Sequence, residues 1–413
     1  MWIYATAYLF LIFSVALEDV IPGFNYWDEI VTILVFLYTI NKRHFKVKKE
    51  NVELWAQLLL LVVIGLVGNL LHSGLQSNNI IIIKDVFAIC KFFVVCYSLR
   101  DISTSETEKE KLLKCLGRVS RILIVVTSIV AAVGYVADIG VYTGEIRMVK
   151  CFKFVFQHPT FFVSAYVLIA GILIAESCVR NKLFLMLDAV LLFMAQRTKG
   201  YVVILAIVLV LIIGEQRIYG LLEKLSHTRK FTISKLKASI AFVVLVVCAY
   251  WLGKEKIQEY LFYGLYAARP ALYVVGLRLM VDYFPFGSGF GTFASTLSVE
   301  EYSKVYSMYG IQNVLGLVEG HAAFAGDVFW PCIYGQLGII GLLLYLHMLW
   351  NILQPIIKNR NISSVRLAQL VLWLYALVAS TAEAYFTNSS GVQFAFVVVG
   401  LLGCQIKVRS IKS

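Results

Sequence analysis

Cations stand in three connections where so apolar a chain has little reason to carry them. Arg147, Lys150 and Lys153 precede one apolar run. Arg197 and Lys199 nearly fill the hairpin Gln196-Arg197-Thr198-Lys199-Gly200 between two others, and Arg269 and Arg278 lie in one long connection. A guanidinium offers a planar fork of N–H donors that matches phosphate oxygens in pairs, and an ammonium adds a compact point charge. If they meet, these cations form a basic cavity for an anionic, membrane-anchored substrate. Taken singly, each is explained as well by a nearby acid or a lipid headgroup. A second group, Glu319, His321 and Asp327, closes the long connection. A histidine or carboxylate there has the chemistry to take a proton from a substrate hydroxyl. The plainer alternatives are an interfacial histidine and, for Asp327, an N-terminal helix cap.

The elements that must hold these residues are membrane helices. Of 413 residues, 60% are hydrophobic and 15% charged, with a mean hydropathy of +0.80. A soluble surface cannot be covered from so little polar material. Apolar runs near 2–17, 25–40, 54–72, 80–98, 120–137, 159–177, 183–196, 200–214, 238–252, 326–350, 366–384 and 390–406 are candidate spans, since crossing a bilayer takes about 20 apolar residues. With the N-terminus inside, most of the 37 basic residues fall on inner connections, and the first outer one is acidic, with Glu18, Asp19, Asp28 and Glu29. This positive-inside pattern predicts an all-α integral membrane protein of about twelve transmembrane helices with both termini cytoplasmic. The net charge of +12 then reports topology and contact with the lipid bilayer, and no nucleic-acid partner is expected. The first run lacks a small-residue cleavage site and reads as retained. The eight cysteines contain no CxxC, so neither a zinc site nor a disulfide framework is expected. The segment 100–121 mixes both charges at helical spacing, with Glu110 and Lys114 four apart, and reads as a solvated helix leading into the fifth span.

The chain divides as 1–252 (nine spans), a large extracytoplasmic loop 253–325, and 326–413 (three spans and a cytoplasmic tail), all one membrane domain. The loop is rich in tyrosine, including Tyr260, Tyr263, Tyr266, Tyr273, Tyr302, Tyr306 and Tyr309, suited to stacking on sugar rings or to an interfacial aromatic belt. Arg269-Pro270 looks like a helix start. Leu272, Tyr273, Gly276, Leu279, Met280 and Tyr283 recur at helical spacing, which predicts an amphipathic interfacial helix over 270–283, ended by Pro285. Gly287, Gly289 and Gly291 form a tight turn or a backbone nest for phosphate oxygens. Gly338 and Gly341 read as a helix-packing face.

Taken in order, Arg147, His158-Pro159, Arg197, Arg269-Pro270, Pro285-Phe286-Gly287-Ser288-Gly289-Phe290-Gly291-Thr292-Phe293, His321 and Gln336-Leu337-Gly338 with Gly341 resemble the O-antigen polymerase and ligase superfamily. The architecture covers the chain, and the motifs cover about 80 residues. The resemblance implies a metal-independent, inverting glycosyltransferase at the outer face of the bacterial cytoplasmic membrane. It would transfer a glycan from polyprenyl diphosphate onto another lipid-linked repeat unit. The resemblance gives Arg269 and Arg197 the task of holding the diphosphate and His321 that of orienting or deprotonating the acceptor, with Glu319 or Asp327 as alternative bases. Arg147, Lys150, Lys199, Arg278, Glu319 and Asp327 would complete the substrate site. The ligase branch usually follows this His with Asn, whereas Ala322 stands here, which favours a polymerase. No DxD-like acidic pair stands in an outer loop, so no metal or cofactor is expected. A chain-length regulator and a flippase of the same pathway are the expected partners. The rival reading is a lipid-linked oligosaccharide flippase, which would carry its cations within the spans and show two similar halves.

Overall fold

The computed structural model describes residues 2–18, 21, 23–42, 49–102, 106–146, 149–213, 254, 258–260, 262–358 and 363–403. Arg147, the loop 215–237, the ninth apolar run (238–252) and the tail from 404 lie outside the described residues.

Each of the other eleven apolar runs contains a helix: α1 (Trp2–Ile12), α2 (Trp27–Lys42), α3 (Lys49–Leu71), α4 (Asn79–Asp101), α5 (Glu106–Ala137), α6 (Pro159–Ser177), α7 (Lys182–Met194), α8 (Thr198–Ile213), α12 (Trp330–Lys358), α13 (Ser364–Ala379) and α14 (Ser389–Ala395). Between α8 and α12 come α9 (Ala268–Asp282), α10 (Leu297–Glu300) and α11 (Lys304–Met308). Among the described residues, four stretches are long and apolar enough to cross a membrane: 52–71, 107–137, 159–177 and 330–358. Helix starts are set by side chains that accept from free amides: Asn78 for α4, Ser363 for α13, Asn388 for α14. The Glu110–Lys114 pair expected on the solvated start of α5 is present at 2.7 Å.

The all-α expectation needs one correction. A small antiparallel hairpin of β1 (Tyr142–Ile146) and β2 (Val149–Phe152) caps the α5–α6 connection. Its aromatic and β-branched residues, Tyr142, Val149 and Phe152, are strand formers, and Phe152 packs fully buried against Phe162 of α6.

Helix α6 is the central post. Most of its residues are buried, and α5, α7, α8 and α13 pack around it. It runs antiparallel to α5, because Arg121 reaches Glu176 at 2.5 Å while Thr127 meets Tyr166. One buried cation inside the bundle is paired with two acids. Lys91 of α4, 3% exposed, takes Asp28 at 2.5 Å and Glu29 at 3.0 Å. The two acids expected in an outer loop therefore sit in the first turn of α2, where a buried ammonium needs them.

The long connection is docked onto the bundle. Helix α9 buries Ala268, Ala271, Leu272, Val275, Gly276 and Leu279, packs chiefly on α12, and leaves Leu277, Arg278 and Val281 exposed. Gly338 breaks α12 with a left-handed φ of 63° and is not a simple packing face. The break frees carbonyls that the glycine-rich turn uses. Ser288 and Gly289 donate to the Gly335 and Gln336 carbonyls at 3.0 and 2.9 Å. Phe290 N–H donates to Asn69 of α3 and Gly291 N–H to Asp85 of α4, each at 2.8 Å. The turn's amides are thus spent on protein acceptors, which removes the phosphate-nest alternative.

Candidate functional site

Several connections gather at one end of the bundle. The α3–α4 connection is held by Gln76, which donates to the Gly291 and Glu301 carbonyls at 3.1 and 3.0 Å. The α13–α14 connection is tied to α12 by Trp330 Nε1 donating to Ser380 at 3.1 Å, and to α9 by Tyr273 donating to the Thr381 carbonyl at 2.9 Å. The α5–α6, α7–α8 and α8–α12 connections meet them through charged side chains.

Arg197 stands between α7 and α8 on a turn fixed by Gln196. That residue adopts φ 51°, donates to the Phe193 carbonyl at 3.0 Å and accepts from Tyr201 at 2.8 Å. A left-handed non-glycine residue costs of order 1–3 kcal/mol, so the turn is over-determined by these bonds. Arg197 Nη2 donates to Nε2 of His158, the residue before α6, at 2.9 Å. Two residues on, Lys199 is buried, pairs with Glu383 of the α13–α14 connection and lies 5.8 Å from the Tyr375 ring centre. Arg269, in the first turn of α9, donates to Tyr260 and to Asp327, each at 3.1 Å. Asp327 is not the helix cap that was its plainer alternative. It lies three residues before α12 begins and serves Arg269.

The electrostatics are uneven. Lys199 and Arg269 each have a carboxylate. Arg197 has a neutral imidazole, and its buried Nε has no hydrogen-bond partner among the described residues. Burial works against the Arg197 charge, and so does Arg269. Burial pushes the Asp327 carboxyl up, against the pull of Arg269 and Lys199. Partial burial, then Arg197 and Lys199, push His158 down to about 4. The two ion pairs also differ. Arg269 and Asp327 are 33% and 38% exposed, whereas Lys199 and Glu383 are 10% and 13% exposed. The first pair is accessible to a ligand, and the second is part of the packed floor.

Of the residues singled out in the sequence, the structure brings together Arg197, Lys199, Arg269 and Asp327. Among the described residues, Lys150, Arg278, Glu319 and His321 make no hydrogen bond or ion pair with that cluster, and Arg147 lies outside the described residues. Lys150 lies on β2, 5.9 Å from the Tyr135 ring centre. Arg278 is exposed on the outer strip of α9, and Glu319 and His321 form an exposed tip of the long loop. Among the described residues, the cluster makes no side-chain hydrogen bond or ion pair with His321 or Glu319. Two members of the cluster, Glu383 and His158, carry weaker signals in the sequence. Glu383 sits at the end of the apolar run 366–384, where an acid at a span edge is its one signal. His158 stands in the sequence only as part of the His158-Pro159 motif that contributes to the resemblance. Among the described residues, no three His, Cys, Asp or Glu side chains are grouped so as to hold a metal ion. No family model matches the chain, and no curated protein matches it.

Proposed function

We propose that the protein is a polymerase of lipid-linked oligosaccharide repeat units, a metal-independent inverting glycosyltransferase that uses polyprenyl-diphosphate glycan as donor and acceptor. The observation that carries this reading is the meeting of Arg197 and Lys199, from the α7–α8 turn, with Arg269 from the long connection, Arg197 having no carboxylate partner among the described residues. An uncompensated, half-desolvated guanidinium is a strong anion receptor. A diphosphate leaving from an anomeric carbon needs donors aimed at the charge it develops, and Arg donors supply that electrostatically. The order of motifs shared with the O-antigen polymerase and ligase superfamily supports the same chemistry.

In this reading twelve helices span the bacterial cytoplasmic membrane, both termini are cytoplasmic, and the cluster faces outward. The exposed apolar strip of α9, with Leu277 and Val281, and the neighbouring Phe262 and Tyr266 contact the interface. Arg197 and Arg269 hold the diphosphate, Lys199 sets the potential of the floor, and Asp327 holds Arg269 until substrate arrives. The purified protein, given lipid-linked repeat units in EDTA, lengthens the glycan. Arg197→Ala and Arg269→Ala lower the rate by about 10²–10³-fold with folding intact. Wild-type rates in both variants would refute the assignment.

A further inference from the structure

His158 is offered two donors and has one acceptor to give. Its Nδ1 lies 3.3 Å from the Thr160 amide, in the capping position for α6, and its Nε2 lies 2.9 Å from Arg197 Nη2. An amide and a guanidinium only donate, and a neutral imidazole has one lone pair and one N–H. The two bonds exclude each other. The shorter one, from a charged donor, is the stronger. Nε2 therefore accepts from Arg197, Nδ1 carries the proton, and the Thr160 amide is left without its cap. Elsewhere in the chain Asn78, Ser363 and Asn388 cap helices with an oxygen and meet no such conflict. An imidazole at this position is a poor choice for capping and a good one for moving a proton. The side chain is also exposed, so a substrate can reach it.

Resting on the diphosphate reading of the cluster, we infer that His158 is the proton acceptor of the transfer step, released for that task when the diphosphate takes the N–H groups of Arg197. The acceptor hydroxyl oxygen bonds to the donor's anomeric carbon. The bond from that carbon to the diphosphate oxygen breaks, and its electron pair stays on the diphosphate. The O–H bond of the acceptor breaks, and its proton passes to His158 Nε2 and then to water. The facing groups are Arg197 from the α7–α8 connection and Lys199 from α8, with Cys151 of β2 beside Arg197 and Arg269, Asp327 and Glu383 completing the cluster. Without an anion, partial burial and the two nearer cations hold the imidazole at about 4, neutral but weakly basic. A bound diphosphate offsets those cations and brings His158 back toward the range in which general bases work near neutral pH. The base is thus strong only when the leaving group is in place.

The test uses the full-length protein in lipid nanodiscs with ¹⁵N-labelled histidine, and inorganic pyrophosphate in EDTA as the probe. His158→Asn, which keeps an oxygen cap, identifies the His158 signal by its loss. The expected result is that saturating pyrophosphate raises the His158 titration midpoint by about one pH unit or more, and that Arg197→Ala abolishes the response. In chain-extension assays His158→Asn lowers kcat by about 10²–10⁴-fold with KM little changed. Pyrophosphate that binds while the His158 midpoint stays fixed, or a wild-type kcat in His158→Asn, overturns the inference and leaves the anion site standing. Absence of pyrophosphate binding overturns the anion reading and the inference with it.

Discussion

Arg197 carries its charge where burial and a second guanidinium both oppose it. Such a residue is poised to gain from an anion, which distinguishes it from Lys199 and Arg269, already paired. Because the fork geometry matters as well as the charge, Arg197→Lys recovers only a minor part of the activity lost in Arg197→Ala, measured as kcat/KM. His158 supplies a pH prediction at the same scale. Its folded pKa, about 4, lies below the ordinary 6.5, so the unfolded chain takes up a proton first as pH falls. Folding stability contributed by this group is present above pH 6.5 and is lost between 6.5 and 4. Thermal melting across that window shows the loss in wild type, and His158→Asn reduces it. Arg197 was legible in the sequence because a cation in so short a hairpin has no solubilising task. Its imidazole partner was not, since a histidine before a proline reads first as a helix boundary.

Helix α12 depends on a residue that breaks it. Gly338 holds φ 63°, and a Cβ there would come within 2.3 Å of the Pro285 carbonyl oxygen. Gly338→Ala is expected to cost about 1–3 kcal/mol in backbone strain alone, read as a lower melting temperature, and to loosen the turn 285–291. The sequence marked the same glycines but could not tell a nest from a ladder, because the acceptors come from α3, α4 and α12, all distant in the chain. The Lys199–Glu383 pair joins α8 to the α13–α14 connection. Glu383→Gln leaves a buried ammonium alone and destabilises by about 3–5 kcal/mol. Lys199→Met combined with Glu383→Leu recovers most of that loss in the melt. Recovery absent from the double variant would show that the pair does more than neutralise itself. Helix α9 was legible from its three- and four-residue spacing, but its buried face looks to α12, since spacing identifies an apolar face and not its partner.

Across the molecule, charge and apolar patterning gave helices in the places expected among the described residues, and the α3–α4, α5–α6, α7–α8, α8–α12 and α13–α14 connections meet at one end. The positive-inside pattern assigns these connections, the long loop among them, to the outside. Single cysteines at Thr143 and Ser307, in a background without the native thiols, are expected to react with an impermeant maleimide on intact cells, and one at Lys114 only after permeabilisation. The reverse pattern would invert the orientation. What composition could not convey was convergence, because Arg197, Asp327 and Glu383 are brought together only by folding. The most direct measurement is the affinity of the protein in nanodiscs for polyprenyl diphosphate, compared with that for the uncharged polyprenol. The wild type binds the diphosphate more tightly, and Arg197→Ala weakens it by about 10- to 100-fold while leaving polyprenol binding unchanged. Equal affinity of wild type and Arg197→Ala for the diphosphate would contradict the account.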